Sequence, residues 1–211
     1  MAISIALMSM VMGAFVVALE GGSDAFFSGS ARGVVSARVD EALRAMAADL
    51  RETQAGHVIT CQNGLPDGQC ALALSSARDA DGDFHVTGSY RPDWQAVVAY
   101  CPYVTSKGLR QFRRYVVYDG SGTYTFPFSF RQITDEEIQL EDALGQELTI
   151  NRAEGNPSLE EGREYQVYCP GFTGLAVVVG DTTRLTLGAS ALTRRNKALS
   201  GEGDEYVALR N

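Results

Sequence analysis

The side chains with chemistry to offer are few: Cys61, Cys70, Cys101 and Cys169, the histidines His57 and His85, and the run Asp79-Ala80-Asp81-Gly82-Asp83. Thiolates can bridge, bind soft metals or act as nucleophiles, but the chain has no CxxC and no Cys/His cluster with zinc spacing. An even set of four cysteines points to two disulfides instead if the body of the chain lies in an oxidising compartment, as the apolar N-terminal run described below leads us to expect. Cys61 with Cys70 would close the turn-rich stretch Gln62-Asn63-Gly64-Leu65-Pro66-Asp67-Gly68-Gln69, and Cys101 with Cys169 would join two strand-like segments far apart in the chain. That pairing is the favoured one; connectivity is not fixed by sequence, and free buried thiols are the alternative.

Alternate carboxylates at Asp79, Asp81 and Asp83 could present hard oxygens to calcium. The run departs from a calcium loop, with glycine at the fourth place instead of the sixth and Tyr90 where the twelfth-place glutamate belongs. A hairpin turn at Asp81-Gly82 accounts for the same residues without a metal. His57 and His85 belong to no metal or nucleophile motif, and HExxH, GxSxG and GxxxxGK[ST] are all missing. The acidic clusters Asp135-Glu136-Glu137 and Glu160-Glu161 read as loop or strand-end charges, and the basic pairs Arg113-Arg114 and Arg194-Arg195 as solvated charges. No cofactor is expected. The net charge of −8 argues against nucleic acid as a partner, because phosphate backbones are gripped by basic patches.

The elements that must position these residues begin with an uncharged run, Met1 to Leu19. As a helix rising ~1.5 Å per residue it spans about 28 Å, close to the hydrocarbon thickness of a bilayer. A cleavable signal would open with basic residues, and none precedes the apolar run; Ser28-Gly29-Ser30-Ala31, a conceivable cleavage site, lies well beyond it. We therefore expect a retained membrane helix over residues 1–20. A second helical stretch follows over 21–55, where Val35, Val39, Leu43, Met46 and Leu50 recur at steps of four, four, three and four and form one apolar stripe for packing on a sheet. Gly21-Gly22 marks an expected soft spot, and Gly56 an expected C-cap. From 56 to 211 the pattern turns to short strands, at 57–61, 71–75, 84–90, 95–100, 110–118, 136–140, 147–151, 165–169, 175–179, 183–187 and 206–209. Glycine turns at Asp81-Gly82, Asp119-Gly120, Leu144-Gly145 and Gly180-Asp181 imply antiparallel pairing. The fold class is α+β: a long N-terminal helix, half in membrane and half amphipathic, packed on antiparallel sheet.

That order of elements resembles the type IV pilin family. The segment Ala2-Ile3-Ser4-Ile5-Ala6-Leu7-Met8-Ser9-Met10-Val11-Met12-Gly13-Ala14-Phe15 is similar to the apolar helix of a prepilin. Val39-Asp40-Glu41-Ala42-Leu43-Arg44-Ala45-Met46-Ala47-Ala48-Asp49-Leu50-Arg51 is similar to the helix that follows in minor pilins and pseudopilins. Residues 94–100, residues 109–118 and the ending Glu205-Tyr206-Val207-Ala208-Leu209-Arg210-Asn211 resemble minor pseudopilins of the J-like and W-like kind. The family's basic leader, glycine cleavage site, phenylalanine and following glutamate are not in this sequence, and Glu20 cannot stand in for that glutamate because it follows the apolar run. On this resemblance Met1 falls inside the mature helix.

What the resemblance implies is a non-catalytic subunit, a minor pseudopilin or minor pilin. It would assemble through its helix, with Leu7, Met10, Gly13 and Phe15 on the assembly segment, into the tip or initiation complex of a type II secretion pseudopilus or a type IV pilus. Its partners would be sibling minor pilins or pseudopilins and the inner membrane, with the body in the periplasm. Two rivals stand beside it. A tip adhesin on the same fold would use Phe126-Pro127-Phe128-Ser129-Phe130 as an exposed aromatic contact, although a buried strand is the better explanation of that alternation. A membrane-anchored periplasmic hydrolase would need a cleft bringing His57 or His85 to carboxylates.

Overall fold

A computed structural model describes the chain apart from residues 1, 63–64, 66–68, 106, 120–121, 135, 153–162, 181, 193–197 and 210–211. One helix, α1 (Ala2–Glu52), takes up the first 51 described residues. It runs through Gly21-Gly22 without a break, so the expected soft spot does not interrupt it. Two glycines cost about 2 kcal/mol of helix propensity, which the flanking helix formers absorb when the hydrogen-bonded ladder is already nucleated on both sides. The helix stops at Glu52, ahead of the expected end. Thr53 N–H still bonds to Leu50 O at 3.3 Å, and a 3-10 turn, Ala55–His57, then delivers the chain to the sheet. Gly56 lies inside that turn and does not cap the helix.

Eleven strands follow among the described residues: β1 (Val58–Cys61), β2 (Ala71–Ser76), β3 (Ala96–Val104), β4 (Arg110–Tyr118), β5 (Ser129–Ile133), β6 (Glu137–Glu141), β7 (Glu147–Asn151), β8 (Arg163–Pro170), β9 (Phe172–Val178), β10 (Thr182–Leu192) and β11 (Ala198–Ala208). They form three sheets, a five-stranded one in the order β1-β2-β3-β4-β8 and two of three strands, β11-β10-β9 and β5-β6-β7. Every strand pairing among the described residues is antiparallel. The architecture is α+β. Residues 84–90, expected as a strand, make only isolated bridges, Arg78 with Phe84 and Val86 with Pro92. The run carries Gly88 and leads into Pro92, so its alternation is too short to hold a ladder.

Two cores explain why the central strands are apolar on both faces. In the first, the α1 stripe meets Leu72 and Leu74 of β2, Val98 and Tyr100 of β3, Phe112 and Val116 of β4, and Leu185 and Leu187 of β10. In the second, the intervening residues Ala71, Ala73, Val97, Ala99 and Tyr115 meet Phe128, just before β5, and Ile138, Leu140 and Leu148 on the small β5-β6-β7 sheet. The period-two alternation of strand side chains sends one set to each core. Small alanines on the second face let that sheet lie close.

β11 is much longer than the expected 206–209, and its glycines supply the reason. A Cβ at Gly203 would stand 2.8 Å from Val39 Cγ1 and 3.0 Å from Leu43 Cδ1, and one at Gly201 would stand 3.1 Å from Val35 Cγ1. Ser200-Gly201-Glu202-Gly203-Asp204 resembles a loop by composition, yet it is strand whose alternate residues were emptied so that α1 can settle on it.

Candidate assembly helix and its seat on the body

The two ends of α1 live in different surroundings. Over residues 10–22 every described side chain is exposed, with Met10 at 76% and Phe15 at 59%, and space around Gly13 is open. The side chain of Leu7 lies outside the described residues. The helix is long and apolar enough to cross a membrane, and none of its apolar window is covered by the rest of the chain. A core helix of a globular protein would be covered there, so this segment must find its apolar surroundings elsewhere. Phe26 and Phe27, which the sequence reading passed over, extend the exposed surface beyond Glu20 and Asp24; Phe26 is 72% exposed and the two rings meet edge to face at 5.9 Å.

From Val35 onward the helix is held. Val35, Val39, Leu43, Met46 and Leu50 are buried, with Ala42 and Ala47 beside them. Their cluster is shared with β2, β3, β4, β9, β10 and β11, so this half of α1 is one wall of the first core. Burial of such side chains contributes roughly 1.5–3 kcal/mol each, which makes the seat strong.

Polar contacts fix the register of the helix on the sheet. Tyr100 Oη donates to Asp49 Oδ2 at 2.6 Å, and Arg114 donates through Nε to Oδ2 at 2.9 Å and through a terminal nitrogen to Oδ1 at 3.3 Å. Burial works against the Arg114 charge, but the hydrogen bonds and charge of Asp49 more than offset it, so the Arg114 pKa is raised. Closer to the rim, Arg78 forms a bidentate pair with Glu52 at 2.7 and 2.6 Å, and Arg51 reaches Glu205 at 3.2 Å. The reading of Arg113-Arg114 as solvated is corrected here. Arg114 faces the helix, while Arg113 is buried on the opposite face of β4 with its guanidinium 3.5 Å from the Tyr103 ring centre. Adjacent residues of a strand point to opposite faces, so a pair of arginines in mid-strand must serve two different environments.

The cysteine expectations change most. Cys101 belongs to the second core and Cys169 to the first, on opposite faces of the five-stranded sheet, so they cannot be joined. Cys70, Cys101 and Cys169 are buried thiols. No Cys61–Cys70 bridge is formed in this structure either: Cys70 Sγ donates to Ala71 O at 3.1 Å. The two residues are nonetheless neighbours at the loop end of the β1-β2 hairpin, where Cys61 pairs with Ala71.

At the calcium candidate the chain makes the turn that explains the same residues without a metal, with Gly82 N–H bonded to Asp79 O at 3.1 Å. Asp79 Oδ1 accepts the backbone N–H groups of Asp81 and Asp83, both at 3.0 Å, and Oδ2 meets His85 Nε2 at 2.6 Å. That hydrogen bond with His85, followed by the two amides, holds the Asp79 carboxyl below its usual range. The carboxylate builds a turn, and among the described residues no three His, Cys, Asp or Glu gather as a metal site. His57 sets Nδ1 3.1 Å from Ser75 Oγ and lies against Trp94 with ring centres 4.4 Å apart and planes tilted by 34°, and burial lowers its pKa. The gap lined by His57, Ser75 and Phe128 has no room for even a water molecule. Phe128 is buried in the second core, and Phe126 and Phe130 pack against it. Asp135, Glu160-Glu161 and Arg194-Arg195 lie outside the described residues.

A shallow groove of about 410 Å³ crosses the outer face of β9-β10-β11, lined by Thr173, Gly174, Thr186, Gly188, Ser200 and Glu202. No family model, curated protein or solved structure matches this chain.

Proposed function

We propose that this chain is a non-catalytic, membrane-anchored structural subunit of the minor pilin or pseudopilin kind, with its first twenty or so residues in the inner membrane and its body in the periplasm. The observation that carries this reading is the single unbroken α1, uncovered and apolar at one end and locked into the body's core at the other. A helix of that form transmits position and force between a lipid or helix-bundle environment and a folded body, because no flexible joint separates the two. Assembly with sibling subunits would proceed through side-by-side packing of such helices. In lipid, that packing depends on close van der Waals fit and not on a hydrophobic force.

The rival readings lose the features they needed. The aromatic segment of the adhesin reading faces the second core. The hydrolase reading needs a solvent-filled cleft beside a histidine, and the space under His57 is closed while His85 is engaged with the turn-forming Asp79.

The test substitutes Leu7→Lys or Met10→Lys. A charge at the centre of a membrane helix costs about 2.5–3.5 kcal/mol for insertion. The expected outcome is loss of membrane fractionation and of co-purification with sibling subunits, while the near-ultraviolet circular dichroism of the body is unchanged. Normal membrane retention and assembly in both variants would overturn the proposal.

A further inference from the structure

We propose that Cys61 and Cys70 are the site of a reversible disulfide that clasps the loop end of the β1-β2 hairpin, while Cys101 and Cys169 remain thiols. Geometry and access select the pair. Cys61 pairs with Ala71, the first residue of β2, and Cys70 immediately precedes that strand, outside its alternation of faces, with the backbone N–H of Cys61 within hydrogen-bonding range of Cys70 Sγ. Neighbouring antiparallel strands hold such residues well inside the ~7 Å Cα separation that a disulfide tolerates.

Cys70 is offset from Cys101 on β3 just as it is from Cys61, and access separates the two: Cys101 is fully buried and Cys61 is only half-buried. Ala71 stands between Cys61 on β1 and Cys101 on β3, since Leu72 pairs with Tyr100 and Cys101 is level with Ala71. Two strand spacings make about 9.5 Å, too far for a bridge. Cys169 is on the other face of the sheet from Cys101. Access decides the order of events: Cys61 is half-buried while Cys70, Cys101 and Cys169 are buried, so an oxidant meets Cys61 first. Burial pushes the Cys101 thiol up to about 12, which keeps it protonated and inert, and pushes Cys70 up to about 11, so Cys70 reacts as the slower, second partner.

The chemistry balances with a disulfide oxidant, either a small molecule or a dithiol oxidase. Cys61 thiolate attacks one oxidant sulfur, forming a mixed disulfide and releasing the other sulfur as a thiol. Cys70 then loses its proton and attacks Cys61 Sγ, releasing the second oxidant sulfur as a thiol. One protein S–S bond forms, the oxidant's S–S bond is broken, and two electrons and two protons pass to the oxidant.

The clasp matters because of where the hairpin is in the chain. β1 is a four-residue edge strand that follows α1 after Thr53, Gln54 and the 3-10 turn, so only the short ladder to β2 holds it in the sheet. A covalent link to the start of β2 stops that strand from peeling away from the loop end.

The experiment oxidises the full chain in detergent micelles with oxidised glutathione, blocks remaining thiols with a maleimide in denaturant, and maps peptides without reduction. The expected result is blockage of Cys101 and Cys169 only, a linked peptide holding Cys61 and Cys70, and a melting temperature about 5 °C above that of the reduced protein. Cys101→Ser should keep both the link and the shift, and Cys61→Ser should lose both. Four blocked thiols in the wild-type chain, or a peptide joining Cys70 to Cys101, would overturn the proposal. It draws on the proposed periplasmic placement only for where the oxidant is met. Because the oxidation is done in vitro, failure of the bridge leaves that placement standing, and a body located in the cytoplasm leaves the bridge standing.

Discussion

Asp49 shows how one side chain can set the register of a long helix. It is off the apolar stripe yet turned to its margin, where it accepts from Tyr100 and from both arms of Arg114. The ion pair is about four-fifths buried at each partner, so deleting one member leaves the other charge poorly solvated. Asp49→Ala should therefore cost about 1–3 kcal/mol in urea unfolding of the full chain, and Arg114→Met in the Asp49→Ala background should recover part of it. Equal and additive losses in the two single variants would show that the pair does not act as a unit. Asp142 acts similarly in a loop, accepting backbone N–H groups from Thr125 at 2.9 Å, Leu144 at 2.9 Å and Gln146 at 2.7 Å. Burial opposes its charge, but these amides prevail and its pKa is lowered below the ordinary 3.8. A carboxyl whose folded pKa is lowered contributes stability above its unfolded pKa and loses it as pH falls through the folded value. Thermal melts should accordingly fall off more steeply between pH 4 and lower pH in wild type than in Asp142→Asn, as about one proton fewer is taken up on acid unfolding of the variant.

At the scale of elements, α1 and β11 are fitted to each other by what β11 lacks. Gly201 and Gly203 occupy alternate positions facing the helix, at distances where a methyl group would touch Val35 or Val39. Gly203→Val would force the helix outward or Val39 and Leu43 off their rotamers, and should cost about 1–3 kcal/mol, whereas Ser200→Ala on the outer face should stay within about 0.5 kcal/mol. A Gly203→Val protein as stable as wild type would mean that the helix does not rest on β11 in solution. The second sheet is attached by a different device. Arg152, just past β7, is buried and donates to the carbonyls of Pro102 on β3 and Thr134 after β5, with its guanidinium 5.5 Å from the Tyr103 ring. Arg113 approaches the same ring from β4, so two cations and one aromatic ring pin the small sheet to the large one.

Considered whole, the molecule is a rod with a body at one end: an uncovered apolar helix, a middle stretch bearing Glu20, Asp24 and the exposed Phe26-Phe27, and a buried final third. The strength of the seat and the absence of a break at Gly21-Gly22 mean that anything holding the apolar end positions the body with little slack. This is why charge in the apolar end should abolish membrane retention without touching the body's own fold: the first core begins only at Val35.

The sequence by itself determined the elements whose physics is local. The apolar run, the stripe from Val35 to Leu50 and strands such as β4 and β7 follow from periodicity, since 3.6-residue and two-residue repeats are written directly in the order of side chains. Tertiary structure alone decided the features that depend on which faces meet. Cys101 and Cys169 look like partners by number and are separated by a sheet; Arg113 and Arg114 look like one solvated pair and serve two interiors. Ser200-Gly201-Glu202-Gly203-Asp204 looks like a loop and is strand, because close approach of a helix more than 160 residues away in the chain favours no side chain at all at Gly201 and Gly203. Nothing in local spacing records a neighbour brought near only by folding.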